Sequence, residues 1–272
     1  MRLEHNLPAV SLALTVLFTS AAIASDAAKP TAGYKATADD LLREMSRKLA
    51  AAHSFSFTAH REIDPALLEG TQAAEKASVE ARVLRPNKLA AHAKTNLGVR
   101  HFCADGRTLT VLDEKANTYS IVPMRTNIDG VVATLDEKYG FTPPLAEFAV
   151  SNPYGGIRAQ ALSVAYVGRE KVAAGFMGLG GVECHRLALK GKLADADLWI
   201  AVGDSLPRKL VATFHRAGHP QVRIDFAAWN LAAPLIERDF TFTPPHGAEK
   251  IEMWTPARMA SATSRKTAAR KN

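Results

Sequence analysis

From residue 54 onward, apolar side chains recur at every second position in one short run after another, and that period decides what the chain can fold into. Phe55, Phe57 and Ala59 alternate with Ser54, Ser56, Thr58 and His60, while Val79, Ala81 and Val83 alternate with Ser78, Glu80 and Arg82. A period of two puts one set of side chains on one side of a strand, so each run is a half-buried strand with an oily face to hide. Further runs cover residues 89–95, 99–104, 108–112 and 118–122, then 163–172, 182–190, 197–202, 209–216 and 221–231, with a last one at 240–243. Turn residues separate them, among them Asn96 with Gly98, Gly203-Asp204-Ser205 before Pro207, and Ala217-Gly218-His219-Pro220. Asp105-Gly106 is the clearest hairpin signal, read as a tight turn with both central residues at positive φ. Connections this short join antiparallel neighbours, because a parallel crossover takes a dozen or more residues. About eleven strands in one twisted sheet cannot stay flat and open, so the sheet must curl, close or be covered.

Helical periodicity supplies the cover. Leu41, Leu42, Met45, Leu49 and Ala52 recur at spacings of three and four within residues 37–53, with Thr37 as N-cap. Ile128, Val131, Val132, Leu135 and Tyr139 do the same before Gly140. Two shorter helices are expected at 144–150, opening on Pro144, and at 154–162, after Asn152-Pro153. The fold class is therefore mainly β with a few α-helices. No 20-to-50-residue repeat and no internal linker divides residues 37–253, which read as one domain.

The two ends read differently. Arg2, an apolar run over residues 7–18 and the small residues Ala22-Ile23-Ala24 follow the order of a secretory signal, so 1–24 is expected to be cleaved and 25–36 to be a linker. The apolar run is shorter than the roughly 20 residues of a membrane span. At the other end, Arg258, Arg265, Lys266, Arg270 and Lys271 stand beyond the last acid, leaving only +2 of the +7 net charge for the rest of the chain. Residues 254–272 are a basic tail without apolar periodicity, expected to be disordered and suited to weak contact with anionic membrane. Charge confined to the tail of an exported chain is no case for nucleic acid.

Reactive chemistry finds little support. There is no G-x-S-x-G, and Cys184-His185, neighbours on a strand, point to opposite faces, which leaves a hydrolase using either residue a remote alternative. His215 and His219 straddle a Gly-Pro turn, glycines 175–181 precede a strand rather than a helix, and two cysteines without C-x-x-C spacing do not make a zinc site. No metal and no cofactor are expected. Asp195 with Asp197, and Asp136 with Glu137, are read as solvated acids. Cys103 and Cys184, in an oxidising compartment, are candidates for a disulfide.

Several segments together resemble a known family: residues 102–110 (FCADGRTLT), 127–140, 143–148 (PPLAEF), Asn152-Pro153-Tyr154, Tyr166-Val167-Gly168, 184–188 (CHRLA), Leu198-Trp199-Ile200, 206–211 (LPRKLV), Trp229-Asn230-Leu231 and 242–248 (FTPPHGA). In this order they resemble the predicted periplasmic proteins of domain of unknown function 2092. The resemblance implies a lipoprotein-carrier (LolA-like) fold, a strongly curved antiparallel sheet forming an incomplete barrel with helices in its concave face. Proteins of that fold with known roles bind lipoprotein acyl chains or other lipids, so this exported chain is expected to be a non-enzymatic binder of a lipid, an acyl chain or a lipidated protein, and a monomer. Phe55, Phe57, Leu109, Val111, Tyr119, Ile121, Leu198, Ile200, Leu210, Phe214, Ile224 and Phe226 are the candidates for lining its cavity. The alternative is a structural or protein-interaction module of the envelope, its interior filled by its own helices.

Overall fold

The computed structural model describes residues 36–68, 72–96, 98–141, 145–173 and 180–253. The expected signal sequence, nearly all of the linker, the basic tail and most of the glycine-rich segment at 174–181 lie outside the described residues.

Among the described residues, twelve strands form one sheet in the order β12-β6-β5-β4-β3-β2-β1-β11-β10-β9-β8-β7. They are β1 (Ser54–Ile63), β2 (Glu75–Leu84), β3 (Lys88–Thr95), β4 (Val99–Ala104), β5 (Thr108–Asp113), β6 (Thr118–Pro123), β7 (Ala161–Ala173), β8 (Gly181–Gly191), β9 (Ala194–Ala201), β10 (Pro207–Phe214), β11 (Gln221–Asn230) and β12 (Glu249–Lys250). Every pairing is antiparallel except the short contact of β12 with β6. The two halves of the chain each form a meander and join where β1 pairs with β11.

The sheet is curved because its core demands it. Leu109 on β5 and Leu187 on β8 belong to one continuous apolar core, although these strands stand eight steps apart in the sheet. At about 4.8 Å per strand a flat sheet would separate them by roughly 40 Å. Both pack instead around the same helices. Helix α1 (Ala38–Ala51) buries Leu42, Met45 and Leu49 completely, and its first turn is closed by a capping box between Thr37 and Asp40. Helix α2 (Ile128–Thr134) is capped by Asn127 and adds Ile128, Val131 and Val132. It widens into a π-helical turn over Leu135–Tyr139, which ends at Gly140 in the left-handed conformation, φ 68°.

Local readings differ from the structure at four points. The hairpin after β4 uses positive φ at Gly106 alone, because the Asp105 carboxylate accepts from the backbone N–H groups of Arg107 and Thr108 and closes the turn with its side chain. The helix expected at 144–150 is a single 3-10 turn, Ala146–Phe148, entered through Leu145 at φ 63°. The next helix, α3 (Pro153–Gln160), ends earlier than expected, and Leu162 already lies on β7, largely exposed. The strand expected at 240–243 is instead a 3-10 turn, Glu237–Phe240, whose Phe240 is buried against the sheet. The last strand comes later, at β12.

Candidate functional site

The concave face of the sheet is an apolar trough, and the alternation along each strand decides who enters it. Phe55, Phe57, Leu109, Leu198, Ile200, Ile224 and Phe226 are buried in the main core, with Val111 and Leu210 packed against it. Phe214 falls in a satellite cluster with Ile63, Leu67, Leu68 and Ala212. Tyr119 and Ile121 do not reach the trough. Register pairs Leu109 with Val122 and Val111 with Ser120, which turns the intervening Tyr119 and Ile121 to the outer face, where Tyr119 meets Phe242 at 5.4 Å. The period along β6 is the expected one but its inward face is the other, since Val122, not its neighbours, is the residue packed on the core.

One aromatic escapes the pattern altogether. Trp229 lies tilted against Phe57 at 4.6 Å and stacks on Phe226 at 5.3 Å, although strict alternation on β11 would turn it away from Phe226. The register explains it: Thr58 pairs with Ala228 and Ala59 with Phe226, so Ala227 is an extra residue that resets the alternation. Phe148, from the 3-10 turn above, completes the cluster edge-on to Phe226 at 5.0 Å. The indole N–H of Trp229 donates to the carbonyl of Pro207.

The trough is filled by a cover made of α1, α2, the π turn and the 3-10 turn at Ala146–Phe148. Arg85, at the end of β2, joins the cover's parts. Its guanidinium donates to the carbonyls of Leu49 and Ala52 at the end of α1 and to that of Val150, at 3.1–3.2 Å, and lies 5.6 Å from the Phe55 ring. At the other end of α1, Asp39 accepts from the Tyr154 hydroxyl, Arg43 and Arg158, tying α1 to α3. Neither Arg85 nor this carboxylate hub stands out in the sequence, since both act on partners that the fold alone brings near.

Polar side chains also sit inside the cover. Arg61 follows Phe55, Phe57 and Ala59 on the trough side of β1 and holds Glu75 of β2 at 2.5 Å; the Glu75 side chain is 4% exposed. The Nε of Arg61 is buried and has no hydrogen-bond partner. Burial pushes the Asp136 carboxyl up, with Glu137 adding to the effect. Burial also pushes up Glu147, on the 3-10 turn, against weaker opposing pulls from its own backbone N–H and then from Arg61. On the outer face, where β11 bulges, a shallow depression of about 180 Å³ is bordered by Ser56, Thr58, Glu80, Arg82 and Asn230.

The two cysteines are far apart and unbonded, which corrects the disulfide expectation. Cys103 on β4 and Cys184 on β8 are separated by six intervening strands, and both are free thiols. Cys103 donates to the carbonyl of Phe240, while Cys184 is enclosed by Val172, Trp199 and Ala201 on the outer face. Burial raises both thiols to about 11. A thiol so protonated is a poor nucleophile, and His185 is engaged on the opposite side with Tyr166. Intact-mass measurement should find both thiols free, with maleimide labelling slow near neutral pH in the folded protein and fast after unfolding. A mass deficit of two hydrogens would overturn this. Among the described residues no group of three or more His, Cys, Asp or Glu could hold a metal ion. Asp195 and Asp197 are each taken by a basic partner, Lys190 and Arg186.

Compared with known proteins, residues 38–254 match the family described as predicted periplasmic protein, domain of unknown function 2092. No curated protein matches the chain. Among solved structures it is similar to an uncharacterized conserved protein from Thermus thermophilus, at 10% identity over 79% of this chain and 98% of that one, TM-score 0.49. It is similar to a chain of the MucA/MucB complex of Pseudomonas aeruginosa at 16% identity, covering 76% of this chain but 61% of that one, TM-score 0.42. The LolA superfamily protein NE2245 from Nitrosomonas europaea is similar at 10% identity over 76% of this chain and 99% of that one, TM-score 0.35.

Proposed function

We propose, for a chain that belongs to the family of predicted periplasmic proteins of domain of unknown function 2092, the role of a non-enzymatic binder of an apolar ligand, taken up between the curved sheet and its helical cover. The periplasm is its compartment. The observation that carries the reading is the nature of the cover. Among the described residues, one apolar sheet face, from β5 to β8, is hidden by helical pieces and not by a second sheet. Such pieces can lift without breaking a strand pairing.

An acyl chain carries enough apolar surface to compete with the cover. An acyl chain of sixteen carbons gains about 12 kcal/mol on leaving water, at about 0.8 kcal/mol per methylene. Against that gain stands the re-exposure of the residues that the 3-10 turn and its flanks bury, Leu145, Ala146, Phe148, Ala149 and Val150. Lipids, acyl chains and lipidated proteins all present such a chain.

The test is direct. Delipidated protein titrated with a fluorescent fatty-acid probe should saturate with blue-shifted emission, and native mass spectrometry of periplasmic material should find a bound lipid. Absence of both results overturns the reading. A second reading, an envelope interaction module with a packed interior, is favoured by the complete burial of Leu42, Met45, Leu49 and Phe55. It expects in-cell crosslinking to capture a defined protein partner while no lipid is retained.

A further inference from the structure

We propose that Arg61 is a headgroup site for an anionic amphiphile held between the curved sheet and its cover. This rests on the apolar-ligand reading and adds the class of ligand: a single long apolar chain ending in a carboxylate.

The trough's apolar lining stops at a charge. Along β1 the residues facing the cover are Phe55, Phe57, Ala59 and then Arg61, and beyond Arg61 the satellite cluster begins with Ile63. Arg61 is thus the one cation of that stripe, set where the aromatic part ends. A buried ion pair is a weak device for stability, because desolvating both charges offsets most of their attraction, and apolar residues of the same volume hold a core equally well. The pair here is also incomplete. Arg61 gives Glu75 one Nη2 donor at 2.5 Å and keeps a buried Nε–H with no acceptor. Guanidinium offers its donors as a planar fork that matches a carboxylate, so one side of the fork is spent and another is spare.

The 3-10 turn packs beside this spot. Register pairs Ala59 with Phe226 and Arg61 with Ile224, while Phe148 rests edge-on against Phe226 at 5.0 Å. The turn therefore meets the trough next to Arg61, two residues along β1 from it. Lifting the turn would remove Phe148 and open an apolar place that ends at the Arg61 guanidinium.

The experiment compares palmitate, hexadecanol and methyl palmitate, which share a chain and differ in the head. Isothermal titration with delipidated protein should show palmitate binding about tenfold tighter than either neutral ligand, the value of one charge-assisted hydrogen bond. Arg61→Gln should bring the three within about twofold of one another by the same argument. Because Arg61→Gln leaves Glu75 buried without its partner, the double variant Arg61→Gln/Glu75→Gln supplies a second, charge-neutral test with the same expected loss of preference, its folding checked by circular dichroism. Equal binding of all three ligands, unmoved by the double variant, overturns the headgroup site while sparing the apolar trough. Binding of none of them overturns both.

Discussion

Replacing Arg85 by Met should cost about 3 kcal/mol in urea unfolding and should free the cover before it loosens the sheet. The side chain reaches three carbonyls, two of them at the end of α1. A helix end leaves its last carbonyls without intrahelical donors, and α1 continues into an extended Ala52 with no glycine turn to satisfy them. Arg85 supplies both the donors and a positive charge at the negative pole of the helix. Methionine preserves much of the apolar stem over Phe55 but none of the donors, so the loss isolates the polar joint. Hydrogen exchange should accelerate first at residues 145–150 and in the last turn of α1, with β2 and β3 protected until global unfolding. A stability change below about 1 kcal/mol with unaltered exchange would mean that the cover is held by apolar packing alone.

The second large effect is expected at Phe55. It has no exposed surface, pairs with Val83 and lies against Trp229 at 6.4 Å. Phe55→Ala should destabilise the fold by about 3–5 kcal/mol, the sum of lost transfer energy and the cavity left behind. The urea dependence of unfolding should keep its slope, since the surface exposed changes little. Ile121→Ala, on the outer face of β6, is the matched control and should cost less than half as much. Equal losses at the two sites would contradict the assignment of faces.

That assignment shows what the sequence can and cannot convey. Period-two alternation locates the strands because a pleated backbone must send neighbours to opposite sides, and eleven of the twelve strands fall on runs visible in the chain. Which side is inward is not a property of one strand. On β6 both sets, Tyr119 and Ile121 as well as Ser120 and Val122, read as plausible faces, and only pairing with Leu109 and Val111 chooses between them. Trp229 is hidden from a sequence reading for a related reason: one extra residue, Ala227, shifts the phase, and nothing in the residues near it announces a bulge. The segment 240–243 looks like a strand because Phe240 and Phe242 are apolar, but they are apolar for the outer face, where they meet β4 and β6, and not for a ladder of their own. The cover's polar joints, Arg85, Asp39 and Arg61 with Glu75, depend on contacts between residues far apart in the chain, which no local period encodes.

The wide separation of the two thiols has a consequence for biogenesis. A newly exported chain meets oxidants while its sheet is unformed, when Cys103 and Cys184 are both accessible and a thiol of ordinary acidity exchanges readily. Six strands of finished structure leave no native geometry for a bond between them, so any bridge made early is a covalent knot that the meander cannot accommodate. Once β8 and β9 have paired, Cys184 is enclosed by Val172, Trp199 and Ala201 and is withdrawn from such exchange.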